Sequence, residues 1–128
     1  MDARVVCLYT GGSLTTLVGL ACSFGAWVLR SGNASNWPDV VGSPTALRGT
    51  AIGLAITGAL LIGASAGVFM RASWGFSAAI GAMLIFVAGG FWGNYAAFGD
   101  IRPVHTGTNV VIAAITLVLI WFGYRQTP

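Results

Sequence analysis

The chain has 128 residues, of which 56% are hydrophobic and 7% are charged, with six arginines, three aspartates and one histidine. A soluble domain of average composition carries about 25% charged residues, and a small fold leaves roughly a third of its unfolded surface exposed. So few charges do not cover that surface in water. The composition therefore excludes an ordinary soluble domain and predicts an integral protein of the cell membrane, with the lipid bilayer as its solvent.

Four segments are long and apolar enough to cross a bilayer, which takes about 20 mostly apolar residues. In chain order we predict helices over residues 5–29, 50–70, 74–98 and 108–124. No charged side chain lies inside any of these segments, whereas arginine or aspartate residues stand close to their ends. The predicted fold class is all-α, an antiparallel bundle of four transmembrane helices that forms a single domain over residues 1–128.

The first segment contains both cysteines, Cys7 and Cys22. At a rise of about 1.5 Å per residue they lie roughly 22 Å apart along one helix, whereas a disulfide needs Cα atoms within about 7 Å. Arg4 precedes an apolar run to Cys22 that resembles a degenerate lipoprotein signal. Because the run continues to Leu29, we expect an uncleaved helix, with lipidation of Cys22 as the alternative.

The connections between the segments differ in kind. Residues 31–49 form a polar loop with Pro38 and Pro44, and residues 71–73 form a tight hairpin. Between the third and fourth helices, Gly99 is expected to end one helix and Pro103 to help start the next.

Aromatic residues near the ends of the segments support the four-helix prediction. Trp and Tyr prefer the two membrane interfaces. One predicted face has Trp27, Trp37, Trp92 and Tyr95, and the other has Tyr9, Trp74, Trp121 and Tyr124. Three arginines fall on each face, so the positive-inside rule does not decide the orientation. Because the longer loop, 31–49, is better suited to the outer face, we expect both termini in the cytoplasm.

Small residues recur at i, i+4 spacing along the second and third segments. Such residues permit close backbone contact, which favours helix association in lipid. We expect this stripe to pack the helices of one chain, with oligomerisation as the alternative, and substitution of Gly63 by leucine to lower thermal stability. The predicted packing residues are Ala51, Ala55, Ala59, Gly63, Gly67, Gly81, Gly89 and Gly93.

A faint internal repeat relates the two halves of the chain. Residues 49–57 read GTAIGLAIT and residues 107–116 read GTNVVIAAIT. This similarity suggests two duplicated helical hairpins, with chance resemblance between Gly/Ala/Ile-rich segments as the alternative.

Residues 89–105, GGFWGNYAAFGDIRPVH, contain the only histidine and an unusual share of the polar side chains. The segment is expected to be an ordinary interfacial loop, with a ligand-binding or proton-handling mouth as the alternative. The candidate ligand-binding residues are Asn94, Asp100, Arg102 and His105, together with Asn109. The Asn109 amide would need a partner in hydrocarbon, and we expect it to lie near the headgroups, where water supplies one.

Other function classes lack the residues that they need. No charged residue occurs within a span, as ion pumps usually require, and one histidine with two cysteines suggests no metal or haem site. The dispersed arginines give no support for nucleic-acid binding. We therefore expect no enzyme, no cofactor and no metal. We expect an accessory or structural membrane subunit that packs with other membrane subunits or as a homo-oligomer, with an oligomeric channel or carrier for a neutral or weakly polar solute as the alternative.

Overall fold

The computed structural model describes residues 2–31, 40–100 and 102–125, and within them it contains four helices. The helices are α1 (Ala3–Ser31), α2 (Pro44–Phe69), α3 (Gly75–Phe98) and α4 (Pro103–Arg125). At about 1.5 Å per residue, even the 23-residue α4 is roughly 34 Å long and exceeds the hydrocarbon core of about 30 Å. All four are long and apolar enough to cross a membrane, which confirms the predicted fold class.

Helices α2 and α4 begin more than one turn earlier than predicted, and both begin at a proline. Helix α2 starts at Pro44, where the Ser43 hydroxyl accepts a hydrogen bond from the Ala46 amide at 3.1 Å. Helix α4 starts at Pro103. Proline suits the first turn of a helix because its missing N–H would have no partner there. The hydropathy pattern locates the apolar part of a helix and misses a polar first turn of this kind.

The turns at the helix ends explain where α2 and α3 stop. The amides of Ala72 and Arg71 donate to the carbonyl oxygens of Gly67 and Val68 at 2.9 and 3.0 Å, and Arg71 is left-handed with φ of 54°. These two hydrogen bonds form a Schellman motif. Gly99 ends α3 with φ of 77°, as predicted.

Helices that follow one another in the chain pack together, and α1 also packs against α4, so the four helices form a closed ring. All four pairs run antiparallel. For example, Gly12 meets Phe69 and Gly25 meets Leu54 between α1 and α2, and Leu8 meets Gly123 between α1 and α4. Both ends of the described chain therefore lie at the same end of the bundle as the α2–α3 turn.

The bundle divides into two halves along its axis. The terminal half consists of residues 3–22, 58–84 and 111–125, and the loop half consists of residues 23–31, 40–57, 85–100 and 102–110. The large side chains that are almost wholly buried all lie in the terminal half, namely Thr15, Leu61, Val68, Met83, Thr116 and Ile120. Interlocking side chains therefore fill the centre of the terminal half.

Helices α1 and α2 make their closest approach at Gly19 and Gly58. A Cβ built on Gly58 would lie 2.8 Å from the Gly19 carbonyl oxygen and 2.5 Å from the Ser23 hydroxyl oxygen. Real Cβ atoms do not come so close to a backbone oxygen, so only glycine allows these helices to pack at this distance. The α1–α2 contact is thus built on Gly58, which the predicted stripe does not include.

Hydroxyl groups inside the spans donate hydrogen bonds to carbonyl oxygens of their own helices. Thr15, Thr57 and Thr116 each donate to the carbonyl oxygen four residues earlier at 2.7–2.8 Å. Ser23 and Ser65 do the same at 3.0 and 2.7 Å, the latter to a carbonyl three residues earlier. These groups are satisfied without a ligand or partner.

The predicted small-residue stripe on α2 does not lie on one packed side. Ala51 and Gly67 are buried, whereas Ala55, Ala59 and Gly63 between them are exposed. A Cβ built on Gly63 would meet no atom within 4 Å. A helix turns about 100° per residue, so each i, i+4 step drifts by about 40°. The ends of the stripe therefore meet different neighbours while its middle faces outward.

The predicted packing residues of α3 also divide between contact and open space. Gly93 lies against α2, where a built Cβ would be 3.3 Å from the Thr50 methyl carbon. Built Cβ atoms on Gly81 and Gly89 would meet nothing within 4 Å. Close contact within the chain therefore does not account for glycine at positions 81 and 89.

Aromatic side chains lie near the helix ends, on the outside of the bundle. Trp27, Trp92 and Tyr95 are exposed near the loop end, and Tyr9, Trp74 and Trp121 are exposed near the terminal end. Tyr124 is half-buried, and Trp37 lies outside the described residues. This arrangement suits amphipathic rings at two membrane interfaces.

Candidate functional site

A cleft of about 770 Å³ opens between α2, α3 and α4 in the loop half. Its walls are mostly apolar and include Leu54, Ile85, Phe86 and Trp92. Small-molecule sites typically have 300–1,000 Å³ and apolar walls with a few placed polar groups. Its size and lining make this cleft the leading candidate for a functional site among the described residues.

Three of the five predicted ligand-binding residues line this cleft: Asn94, His105 and Asn109. Asn94 donates through Nδ2 to the Thr106 hydroxyl oxygen at 3.5 Å, the outer limit of a hydrogen bond. His105 is exposed at the start of α4. Side chains separated by up to 15 positions in sequence are thus brought to one mouth because α3 and α4 run antiparallel.

The Asn109 amide lies over the backbone of α3 at Gly90. A Cβ built on Gly90 would stand 2.6 Å from Asn109 Nδ2, so a larger residue at position 90 would displace the amide. Among the described residues, Asn109 has no side-chain hydrogen bond. Asn109 is six residues from the start of α4, which places it about 9 Å along the helix. It therefore lies beyond the first turn of α4.

The other two predicted residues, Asp100 and Arg102, do not line the cleft. The Arg102 guanidinium lies over the Phe98 ring, with its central carbon 4.0 Å from the ring centroid, in a cation–π contact. Asp100 is exposed beyond Gly99. Among the described residues, no hydrogen bond or ion pair joins Asp100 to His105. Both charged residues therefore lie outside the lining of the cleft.

Sequence reasoning missed the glycines that shape the cleft on its α2 side. Gly49 and Gly53 line it, and Cβ atoms built on them would meet nothing within 4 Å. Thr50 and Thr57 add two hydroxyls to the same wall. The available signal was the pair of glycines one helical turn apart, opposite the glycines at 89 and 93. That signal becomes visible only once α2 and α3 are paired.

The chain segment before α2 is bonded to the end of α3. The amides of Val41 and Gly42 both donate to the Ala97 carbonyl oxygen, at 2.8 and 3.2 Å. Gly42 lies directly against the Ala96 carbonyl oxygen, a position that a side chain would block. This attachment holds Val40 beside the mouth of the cleft, where it forms part of the wall.

Two further cavities lie outside this site. One, of about 780 Å³, lies between α1 and α2 beside Trp27, Arg30 and Arg48. The other, of about 410 Å³, lies at the terminal end beside Asp2, Arg4 and Arg71, and Arg4 Nε is 4.0 Å from an Asp2 carboxylate oxygen. Both have charged side chains, unlike the described lining of the main cleft.

In the part of the chain that the structure describes, no group of three or more His, Cys, Asp or Glu side chains could hold a metal ion. Cys7 and Cys22 are free thiols, and Cys22 is buried. The groups that converge on the cleft are amides, hydroxyls and one imidazole. Such groups donate and accept hydrogen bonds, which suits binding of an uncharged polar group.

Comparison with known proteins adds no relative from which a function could be transferred. No family model matches the chain, and neither curated proteins nor solved structures give a significant match. The chain is therefore characterised by its own architecture, a multi-pass membrane bundle of four antiparallel helices with a cleft in its loop half.

Proposed function

We propose that this protein is a non-catalytic membrane subunit that acts by assembly, and that it assembles through the outer face of α2. The observation that supports the proposal is the exposed row Ala55, Ala59 and Gly63, one helical turn apart. In lipid, such rows let two helix backbones approach closely and gain dispersion contacts. The first occupant to test is a second copy of this chain, because a small-residue row can pair with its own copy across a two-fold axis.

The surroundings of this row favour a helix contact. Ile52, Ile56 and Ile62 are exposed beside it and supply branched side chains that pack into the hollow left by small residues. By contrast, the exposed surface of α4 has bulky residues such as Val111, Ile115 and Val118. A partner helix therefore comes closest on α2.

Cysteine cross-linking tests this assembly in native membranes. In a background with Cys7→Ala and Cys22→Ala, the Ala59→Cys variant should oxidise to a covalent dimer of two chains. Leu84→Cys, on the exposed surface of α3, is the matched control and should remain monomeric. Equal cross-linking at both positions, or none at Ala59→Cys, would contradict assembly through α2.

The alternative function, a small channel or carrier for a neutral or weakly polar solute, is favoured by one observation, the cleft in the loop half. The packed centre of the terminal half supports assembly over a pathway through one chain. A carrier would therefore need the wall of a second chain. Flux of such a solute into proteoliposomes that is lost in Gly63→Leu would support this alternative.

We also propose that both termini lie in the cytoplasm. The support for this orientation is the length of the 32–43 connection, which is greater than that of the 70–74 turn. Labelling of single cysteines in intact cells tests it. A membrane-impermeant maleimide should react with Ser43→Cys and should not react with Ser73→Cys until the cells are opened.

A further inference from the structure

The loop-half cleft has a feature that packing within the chain does not explain. At Gly49, Gly53 and Gly89 a Cβ would meet no atom within 4 Å, so alanine would fit without collision. Glycine in a helix interior is less favourable than alanine. At these three positions the effect of glycine is to keep volume open between α2 and α3.

The cleft opens sideways to the bilayer as well as toward the interface. Ile85 and Trp92 on α3 belong to its wall and are exposed on the outer surface of the bundle. In a membrane these side chains contact lipid, so a molecule dissolved in the bilayer reaches the cleft without crossing water. This access favours an occupant with a substantial apolar part.

The polar side chains of the cleft are amides and hydroxyls, with the His105 imidazole at the mouth. Among the described residues, no Asp, Glu, Lys or Arg belongs to the wall. The Asn109 amide lacks a hydrogen-bond partner there, although an amide in apolar surroundings costs free energy until it is paired. A carbonyl or hydroxyl group on a ligand would pair with it without placing a charge in the cleft.

We propose that this cleft binds a neutral amphiphile from the bilayer. An uncharged carbonyl or hydroxyl headgroup lies against Asn94 and Asn109, and an apolar chain lies along the glycine-lined wall of α2 and α3. The inference goes beyond assembly through α2, since it assigns a ligand class to a different surface. The polar side chains of the cleft select the headgroup of the ligand, and the volume between the helices accommodates its apolar chain.

Native mass spectrometry with monooleoyl glycerol tests the proposal on the full-length protein. One molecule per chain should bind saturably. Gly53→Leu fills the cleft and should weaken binding roughly tenfold or more. Asn109→Leu should weaken binding by a similar factor, because it removes a hydrogen bond to the headgroup, which is worth on that order. Gly81→Leu is the matched control, because it also enters open space but lies outside the cleft, and it should bind as the parent does.

The headgroup is tested with monooleoyl glycerol phosphate, which has the same acyl chain and an added phosphate. It should bind roughly tenfold or more weakly, since the described wall offers no lysine or arginine to pair with a buried phosphate. Equal binding of the two lipids would overturn the uncharged headgroup site. Unsaturable adducts of monooleoyl glycerol, or equal binding to Gly53→Leu and Gly81→Leu, would show adventitious lipid and overturn the cleft itself.

Circular dichroism and cross-linking distinguish a loss of lipid binding from a loss of folding or of assembly. Far-UV circular dichroism identifies a variant that fails to fold, and Gly89→Leu, on the opposite wall, then replaces Gly53→Leu. Absence of cross-linking at Ala59→Cys with lipid binding intact would contradict only the assembly proposal. Absence of lipid binding with cross-linking intact would contradict only the ligand proposal.

Discussion

A packed contact in the terminal half and the cleft in the loop half show glycine in two opposite roles. At the packed contact, glycine permits close approach, since a Cβ on Gly11 would stand 2.6 Å from the Ile120 side chain and 3.3 Å from its backbone nitrogen. At the cleft, Cβ atoms on the glycines at 49, 53 and 89 would meet no atom within 4 Å. Glycine therefore allows two helices to pack closely at one site and leaves volume open at the other.

The largest expected effect is in the packed centre of the terminal half. Ile120 is wholly buried, and Ile120→Ala should lower the free energy of unfolding by about 2–5 kcal/mol, because it removes apolar contacts and leaves a cavity. In the loop half, Ile85 is 45% exposed, and Ile85→Ala should cost roughly 0.5 kcal/mol or less. Unfolding titrations in mixed micelles measure both. Equal losses would break the distinction between the halves.

A pair of alanine substitutions sharpens the comparison, because they should change the free energy of unfolding in opposite directions. Gly11→Ala should destabilise by about 1–3 kcal/mol, since the added methyl group overpacks the α1–α4 contact. Gly89→Ala should stabilise by up to about 1 kcal/mol, since it improves helix propensity in open space. The same titrations apply. Destabilisation by Gly89→Ala would indicate that α3 packs against another element at this position.

The smallest expected effect concerns the α2–α3 turn. Arg71 is left-handed with φ of 54°, a conformation that costs a residue with a Cβ roughly 1–2 kcal/mol. Arg71→Gly should therefore stabilise the bundle by about 1 kcal/mol. Arg48→Gly, at an exposed position within α2, is the matched control and should destabilise by about 1 kcal/mol. Stabilisation in both variants would contradict a conformational origin.

The four spans were predictable because hydrocarbon imposes a minimum length of apolar helix, and each segment meets it without a charge. The end of α3 at Gly99 was also predictable, because a glycine stands between a helix-forming run and a polar turn. Hydropathy placed the starts of α2 and α4 too late, since Ser43-Pro44 and Pro103 extend those helices beyond the apolar part. For α4 the proline itself was the signal, because Pro103 was expected to help start this helix, whereas the start of α2 depends on capping chemistry that hydropathy does not measure.

The candidate site was only partly predictable, for a geometric reason. Asn94, His105 and Asn109 stood out as polar groups at helix ends, and the antiparallel arrangement brings them to one cleft. Gly49 and Gly53 did not stand out, because a glycine that opens a cleft and a glycine that permits contact look alike in sequence. The role of the α2 stripe could not be assigned from the sequence for a related reason: spacing gives a face of the helix but does not give the neighbour that covers it.

The most direct test of the account measures what surrounds the bundle. Leu17, Leu84 and Val118 are each more than 60% exposed on three different helices, and each is far from a helix end. Nitroxide labels at cysteines introduced at these positions, in reconstituted bilayers, should collide often with dissolved oxygen and rarely with a water-soluble nickel chelate. High nickel accessibility at these three positions would place the surface in water and contradict the transmembrane bundle.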